Sequence, residues 1–259
     1  MRQLVFLFLL ITWFFVNSQN NSIGSYEKLN FTASYNMSGL LTDLAQVTME
    51  TKEVKTSKST LLHLKCKART YSKWDNFFKI DDTYESYVNP NTLTPYLYKR
   101  EINEGGHYKF MKYSFNHKSK TVESQMRKRR SDGTFWDVNK SYSFGNSTND
   151  IVTTIYKIRN LDLKSMSKSS SRPFSILFDN EGQKITIKLL GEESIETKIG
   201  IKNCYKIAIA INNSDLLKGT NTNLLWLTAD KNKIPVYAKF KVAVGNGELR
   251  INSATGLKN

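Results

Sequence analysis

Apolar and polar residues alternate one for one along most of this chain, and this alternation is the feature that most constrains its fold. The longest alternating segment covers residues 234–244, and another covers residues 29–37 and stops before Gly39. Successive side chains of a β-strand point to opposite faces, so each segment predicts a strand with one buried and one solvated face. Similar segments recur at residues 45–49, 62–68, 78–88, 95–100, 174–178, 185–189 and 205–211.

Glycine-rich turn signals separate many of these segments, for example at residues 105–106, 179–182 and 245–247. Short connections of this kind join neighbouring antiparallel strands. We therefore expect an all-β fold of about eleven or twelve strands, an antiparallel meander that curls into an open or flattened barrel and so protects its edges. Residues 191–193 are expected to form a solvated turn, because Glu192 and Glu193 follow Gly191.

One segment has a different period. Between Asn149 and Leu161, isoleucines recur at helical spacing, and Asn149 or Thr148 can serve as the N-cap. This predicts a single short helix. No proline- or glycine-rich linker interrupts residues 20–259, so we expect them to form one β-rich domain, with the serine-rich residues 165–172 as a loop.

The first nineteen residues predict a secretory signal peptide. Arg2 is followed by an apolar run at residues 4–16 and by Asn17 and Ser18 at the expected cleavage position. No cysteine follows, so a bacterial lipoprotein is not expected, and no later segment has the length of a membrane span. We therefore expect a periplasmic protein with neither nucleotide cofactors nor nucleic acid as partners.

The chain carries a formal net charge of +15. Most lysines occur singly along the strands, which is typical of a solvated sheet surface, although a basic protein can also bind anionic lipids or glycans. The one dense cluster is Arg127-Lys128-Arg129-Arg130, beside a turn. Such a cluster either grips phosphates or forms a solvated hairpin tip, and we favour the hairpin tip.

Few residues are arranged for chemistry. Asp82 falls on the apolar side of its segment, and a buried carboxylate needs a partner, for which Arg100 or Arg159 would serve. The three histidines lack metal-ligand spacing, so we expect no metal, no cofactor and no catalytic residue. Cys66 and Cys204 either form a disulfide or remain free, Cys66 on the apolar side of its strand.

Several short segments occur in a distinctive order: residues 26–31 (YEKLNF), 74–82 (WDNFFKIDD), 85–90 (ESYVNP), 155–160 (IYKIRN), 226–230 (WLTAD) and 234–236 (IPV). Together they resemble the exported bacterial domain-of-unknown-function family 3108 of Gram-negative groups. The resemblance implies a periplasmic β-rich protein with no established activity. It also marks a set of polar positions for attention: Asp82, Arg100, Glu104, Arg159 and Asp230.

Export, abundant inward aromatic residues and a basic surface lead to one main hypothesis, a non-enzymatic protein that binds or carries a lipid-like, hydrophobic or amphipathic ligand in the cell envelope. The residues expected to contact the ligand are Asp82, Tyr84, Arg100, Glu104, Arg159, Trp226 and Asp230. One alternative is an envelope glycan hydrolase or lyase with Asp82 and Glu104 as acid and base. The other is an envelope scaffold that pairs with a partner through a sheet edge. The sequence leaves the oligomeric state open.

Overall fold

A computed structural model describes residues 19–37, 40–145, 147–168, 170–212, 223–242 and 245–259 of the chain. Fifteen strands of this described part form one sheet. The strands are β1 (Lys28–Met37), β2 (Leu40–Lys55), β3 (Thr60–Thr70), β4 (Asp81–Val88), β5 (Pro95–Glu104), β6 (His107–Asn116), β7 (Thr121–Arg129), β8 (Phe135–Ser143), β9 (Thr148–Asn149), β10 (Ser171–Phe178), β11 (Glu181–Thr197), β12 (Gly200–Asn212), β13 (Leu224–Thr228), β14 (Pro235–Val242) and β15 (Gly245–Thr255). One helix, α1 (Ile151–Arg159), lies between β9 and β10, and a 3₁₀ turn (Ser72–Trp74) precedes β4.

The sheet is a meander whose two halves are joined by the first and last strands. Its order is β8-β7-β6-β5-β4-β3-β2-β1-β15-β14-β13-β12-β11-β10-β9. The pairing of β1 with β15 is antiparallel, and β9 with β10 is the parallel pair of the described sheet. The sheet is not closed by hydrogen bonds, so β8 and β9 are its edges. The predicted all-β fold, with an open antiparallel sheet and one helix, is confirmed.

Strand direction alternates along the meander, so the connections lie at two ends of the sheet. One end, here called the loop end, carries the end of β1, the start of β2 and the connections β3–β4, β5–β6, β7–β8 and β10–β11. The opposite end, here called the terminal end, carries residues 19–27 and 256–259, because Lys28 pairs with Thr255 there.

The sequence prediction undercounted the strands mainly because it missed β7 and β8. On β7 the inward row is Val122, Ser124 and Met126, and Ser124 is fully buried. A polar residue in the inward row breaks the alternation by which a strand is recognised. On β8 the side chains are exposed except for the half-buried Val138 and Tyr142, which leaves only a weak inward row.

The predicted turn at residues 191–193 is wrong. These residues lie inside β11, which continues for 17 residues. The pairing register with β12 shifts between Leu189 and Gly191, and Gly191 has a φ of 152°. A bulge of this kind bends a strand without ending it. Because the strand continues, the Glu193 carboxylate forms an ion pair with the Lys206 ammonium group of β12 at 3.3 Å.

The helix begins later than predicted. It spans Ile151–Arg159, and its N-cap is Asp150 rather than Asn149 or Thr148. The Asp150 carboxylate accepts the backbone N–H of Thr153 at 2.8 Å, a bond that an N-cap side chain makes with the third helical residue. Asn149 instead ends β9 and accepts a hydrogen bond from the ammonium group of Lys157.

The inner face of the curled sheet forms two apolar clusters with α1 between them. The larger cluster includes Phe31, Leu64, Tyr113 and Trp226, and the smaller one includes Ile187 and Ile207. α1 packs against β3, β4 and β10, so it fills part of the interior. The alternating segment at residues 78–88 predicts that Phe78 faces inward, and this is wrong: the side chain is 42% exposed, because the chain still turns at this point and β4 begins at Asp81.

The predicted signal peptide, residues 1–19, lies outside the described residues except for Gln19. Within the described ranges, none of the helical structure is long and apolar enough to cross a membrane.

Candidate functional site

An apolar pocket of about 340 Å³ lies inside the curled sheet beside α1. The helix contributes Ile151, Val152 and Ile155 to its wall. The strands contribute the remaining lining residues, Val47, Cys66, Lys67, Ala68, Tyr84, Ile176, Phe178, Gln183 and Ile211. We call this space the helix pocket. Its largely aliphatic and aromatic wall can hold an apolar group with few polar contacts to fix its orientation.

Small inward side chains create the space opposite the helix. Cys66 and Ala68 lie two positions apart on β3, and Val47 of β2 pairs with Ala68. Positions two apart on a strand share a face. Farther along the same row of β3, Leu62 and Leu64 are fully buried and fill the interior. The pocket therefore begins where the inward row changes from leucine to cysteine and alanine.

Hydrogen bonds fix the position of α1 over this space. Asp150 is fully buried, and its two carboxylate oxygens accept bonds from the N–H and the hydroxyl of Thr153. The hydroxyl of Ser86 on β4 donates to the same carboxylate at 2.6 Å. The N-terminus of the helix is thus tied to the sheet wall, which holds Ile151 and Ile155 at the pocket.

A charged cluster lies next to the helix pocket. Arg100, only 2% exposed, and Lys109 both donate hydrogen bonds to the carboxylate of Asp179. Burial would raise the pKa of Asp179, but the bond from Lys109 and the charge of Arg100 hold it below its ordinary value. The Arg100 guanidinium also lies 4.5 Å from the ring centroid of Phe178, a pocket residue. The buried Nε of Arg100 has no hydrogen-bond partner among the described residues.

The β10–β11 turn is docked onto strands from the other half of the sheet. Asp179 and Asn180 have φ angles of 51° and 68°, which suit the short polar residues of a tight hairpin turn. The N–H of Asn180 donates to the Tyr113 hydroxyl at 2.8 Å, and Ser124 donates to the Asn180 side chain at 2.6 Å. These bonds join the two halves across the interior, close to one wall of the helix pocket.

Asp82 does not have the ion-pair partner that the sequence suggested. Arg100 is paired with Asp179 and Arg159 with Glu27, whereas Asp82 accepts the N–H of Asn103 at 3.0 Å. Burial raises the pKa of Asp82 to about 7, against the effect of the Asn103 bond, and a hydrogen bond with Glu104 adds to the rise. Asp82 and Glu104 thus form a carboxyl pair.

The geometry of this pair differs from that of a glycosidase. Two carboxyl groups in direct hydrogen-bond contact are closer than the separation of about 5 Å or more that a retaining or inverting mechanism needs. Asp82 is also only 4% exposed, so a glycan has no direct access to it.

Neither cysteine carries an activated thiol. Both are free, which answers the disulfide question that the sequence left open. Burial raises the pKa of Cys66 to about 12 and that of Cys204 to about 11, so both remain protonated at neutral pH. Among the described residues, no group of three or more His, Cys, Asp or Glu side chains is placed to hold a metal ion.

The structure divides the seven predicted ligand-binding residues into two sets. Four lie together on β4 and β5: Tyr84 lines the helix pocket and pairs with Arg100, and Asp82 contacts Glu104. The other three are Arg159, Trp226 and Asp230, and they lie elsewhere.

Each of these three residues holds part of the fold. Arg159 forms a fully buried bidentate ion pair with Glu27, at 2.6 and 2.7 Å. Trp226 is 3% exposed and donates from Nε1 to Glu193 at 2.6 Å. Asp230 accepts two backbone N–H groups and a hydroxyl within its own turn.

The basic cluster at residues 127–130 forms a solvated hairpin tip at the end of β7. Arg127 and Asp137 make a bidentate ion pair at 2.7 and 2.8 Å, and both side chains are about half exposed, at 52% each. Lys128 lies on the other face of the strand. The alternation of faces therefore divides the cluster instead of concentrating its charge.

Sequence reasoning missed most of the pocket wall, including Val47, Cys66, Ala68 and Phe178, and it missed Asp179. One signal was available: β3 changes from leucine to smaller inward residues opposite the only predicted helix. The contribution of Asp179 had no comparable signal, because it comes from a turn 79 residues from Arg100.

The comparisons with known proteins concern family and fold. A family model described as "protein of unknown function (DUF3108)" matches residues 30–252. No curated protein matches the chain in sequence.

Two solved structures are similar over most of their length. A beta-barrel-like protein of the domain of unknown function DUF1849 from Brucella abortus is 5% identical, with a TM-score of 0.55 over 90% of this chain and 99% of that one. A protein from Bacteroides fragilis inferred to be exported, with a YmcC-like fold, is 9% identical, with a TM-score of 0.30 over 92% and 99%. The first likeness shows a barrel-like fold and nothing about activity.

Proposed function

We propose that this chain, which belongs to the DUF3108 family of proteins of unknown function, binds or carries an apolar or amphipathic molecule. The observation that carries this proposal is the helix pocket, a largely apolar space of about 340 Å³ inside the sheet. Pockets that take small organic ligands begin at about 300 Å³. A single acyl chain or a small apolar ring system suits this volume.

The charged cluster beside the pocket favours an amphipathic ligand over a purely apolar one. Arg100 lies against the Phe178 ring, Lys109 binds the adjacent Asp179, and the Nε of Arg100 has no described partner. Burying an unpaired donor costs free energy that a polar head group could recover. The ligand in this proposal has an acyl or ring portion beside α1 and a polar or anionic head toward Arg100.

The site of action in this proposal is the periplasm. The supporting observation is the leader-like pattern of residues 1–19, with a basic start, an apolar run and small residues at its end. Lipid-like molecules that move through an aqueous compartment need a protein that shields their apolar portion from water.

Native mass spectrometry of the protein purified from its own envelope tests this role. A bound lipid-like molecule with reproducible mass is expected. In solution, a dansyl-labelled undecanoic acid is the probe, and its fluorescence should rise on entering the apolar pocket. A ligand-free protein that also fails to bind acyl probes would contradict the proposal.

A pair of adjacent substitutions locates the binding. Ala68→Phe places a ring into the helix pocket and should weaken probe binding by about tenfold or more. Arg69→Phe adds the same ring to the exposed face of the same strand and should leave binding unchanged. Equal affinities for the two variants would place the probe somewhere other than the helix pocket.

The edge strand β8 favours a second candidate, a scaffold that accepts a strand from a partner. β8 is nine residues long, pairs with β7 without a bulge and contains no proline, so its charged side chains, Asp137 and Lys140, are the common edge protection that it has. Of Asn139 and Lys140, one has its N–H directed outward, because adjacent N–H groups of a strand alternate in direction. A partner strand bound to β8 should protect its backbone N–H groups from hydrogen exchange. Proline in place of whichever of the two residues directs its N–H outward should abolish that protection and leave the sheet folded. Unchanged exchange of β8 in the presence of envelope extract would exclude the scaffold.

A further inference from the structure

The exposed large apolar side chains of the described residues are concentrated at the loop end. Six of the ten lie there: Leu40, Leu41, Phe77, Phe78, Phe135 and Trp136. We call these six the apolar rim. Phe77 is 78% exposed and Leu40 is 71% exposed. Side chains of this size on a water-exposed surface indicate an interaction site when they are contiguous.

Contacts between neighbouring connections link parts of the apolar rim to one another. The indole N–H of Trp74 donates to the Asp43 carbonyl at 3.0 Å, which joins the β1–β2 end to the segment that carries Phe77. The Phe78 ring lies against Gly105, where an added Cβ would be 2.9 Å from the ring. On the next connection, Tyr108 packs edge-on against Phe135 at 5.7 Å.

Basic side chains lie on the aromatic surfaces of this end. Lys73 is 5.5 Å from the ring centroid of Trp74, and Lys128 is 5.5 Å from that of Trp136. Arg129 lines the same groove as Phe135. Aromatic rings with adjacent Lys and Arg side chains match the boundary between lipid head groups and acyl chains.

Three carboxylates at this end are neutralised or tied into local bonds. Asp81 pairs with Lys67 at 3.0 Å. Asp75 accepts a hydrogen bond from the hydroxyl of Thr70 at 3.2 Å. Asp132 accepts both the N–H and the hydroxyl of Thr134 in the β7–β8 turn. These bonds hold the carboxylates against local partners without removing their negative charge, whereas Lys73, Lys128 and Arg129 lie beside exposed aromatic rings of this end.

We infer that the apolar rim docks onto the surface of a bilayer that contains anionic phospholipid. The rings and leucines enter the head-group region, and the lysines and arginines beside them contact lipid phosphates. Each basic group near an anionic leaflet adds to the attraction, and the apolar side chains supply burial that is insensitive to salt.

The helix pocket lies close to the same end of the sheet. Ala68 is two residues before the end of β3, Phe178 is the last residue of β10, and Ile211 is the next-to-last residue of β12. Docking therefore brings the pocket near the bilayer, from which an amphipathic ligand can be taken. This last step rests on the proposed binding function, whereas docking itself does not.

Vesicle flotation tests the docking. Purified protein is mixed with vesicles of phosphatidylcholine alone or with about 30% phosphatidylglycerol, and the bound fraction is measured at low and high salt. The rim variant Phe77→Ser, Phe135→Ser, Trp136→Ser should lose at least about tenfold in partitioning to the anionic vesicles. The matched control, Tyr26→Ser, Tyr96→Ser, Ile201→Ser, changes three exposed apolar residues at the terminal end and should bind like the wild type.

Each other outcome counts against the inference. Equal binding by the rim variant and the wild type would show attraction by net charge alone, and absence of wild-type binding would exclude a membrane partner. Binding that does not depend on phosphatidylglycerol would overturn the assignment to anionic lipid. Ala68→Phe should still float with the vesicles, so loss of ligand binding and loss of docking are measured separately. Urea unfolding of the rim variant, with the wild-type midpoint expected, checks that it is folded.

Discussion

Two arginines of the described residues are buried, and each is held by an acidic residue that is distant in sequence. Arg100 is bound to Asp179 and Arg159 to Glu27. A guanidinium stays charged when it is buried, so the fold must bring a carboxylate to it. The two pairs differ in surroundings, since Arg159 is sealed among backbone carbonyls, whereas Arg100 lies beside the helix pocket.

We predict that Arg159→Met lowers the free energy of unfolding by about 3–5 kcal/mol, because it leaves the buried Glu27 without its counter-ion. The control is Arg127→Met, which removes an arginine with the same bidentate geometry toward Asp137 but on the exposed surface. This control should leave stability almost unchanged. Urea unfolding measures both, and similar midpoints for the two variants would refute the difference that burial predicts.

Asp82 provides a prediction about pH. In an unfolded chain an aspartate releases its proton near pH 4, whereas in the folded protein Asp82 retains it up to about pH 7. Between these values the folded state binds the extra proton, so stability falls as the pH rises through this window. In Asp82→Asn that decline is removed, and the amide can still accept from Asn103 and donate to Glu104.

The stability of Asp82→Asn relative to the wild type should therefore increase between about pH 5 and about pH 8. Unfolding by urea at the two pH values measures the difference. His63 is present in both proteins and is not acted on by Asp82, so its contribution cancels, and the difference reports the carboxyl pair that Asp82 forms with Glu104. A difference that stays constant with pH would mean that Asp82 has an ordinary pKa in the folded protein.

At the scale of elements, the short helix is held mainly by its N-cap residue and by packing. Its nine residues are too few for stability in isolation, so the cap and the buried face must compensate. Asp150 supplies the cap and the bond to Ser86 on β4. The helix can therefore form one wall of a pocket without a fully packed interior around it.

We expect Asp150→Ala to lower the free energy of unfolding by about 2–4 kcal/mol, because the helix loses its cap and buried hydroxyl groups lose their acceptor. Binding of the dansyl probe should weaken as well, since Ile151 and Ile155 lose their fixed position. Asp162→Ala, which removes a similar bond in an exposed turn, serves as the control and should change neither quantity. An unaltered unfolding midpoint for Asp150→Ala would show that packing alone holds α1.

At the scale of the whole molecule, the two ends of the described chain are fastened together. β1 pairs with β15, Lys28 opposite Thr255, so the two halves of the sheet meet at residues more than two hundred positions apart. Gly256 follows directly, with a φ of 65°, and a Cβ there would lie 2.0 Å from the Tyr26 carbonyl oxygen. The joint is therefore both close and conformationally restricted.

Gly256→Ala should destabilise the protein by about 2–4 kcal/mol, from the left-handed backbone and the clash together. Gly182→Ala is the control, because a Cβ at that exposed strand position meets no atom within 4 Å. It should alter stability by less than about 0.5 kcal/mol. Thermal or urea unfolding compares the two, and a mild effect of Gly256→Ala would indicate that the ends separate easily.

The sequence by itself determined the strand-rich fold, the single helix and most of the buried rows. These depend on local periodicity, because the order of neighbouring residues determines the two faces of a strand and the apolar stripe of a helix. The 234–244 segment is an example for a strand. The same reasoning failed at β7 and β8, where Ser124 occupies an inward position, and at Gly191, where a bulge looks like a turn.

Only the tertiary structure decided the ion-pair partners and the pocket. Asp179 reaches Arg100 and Glu27 reaches Arg159 because the sheet curls and its two halves meet, and curling is a collective property of strand twist and register. The helix pocket likewise arises where α1 meets the smaller residues of β3, since empty space depends on how elements fit together. Local pattern sets the faces of each element, whereas long-range packing sets what those faces meet.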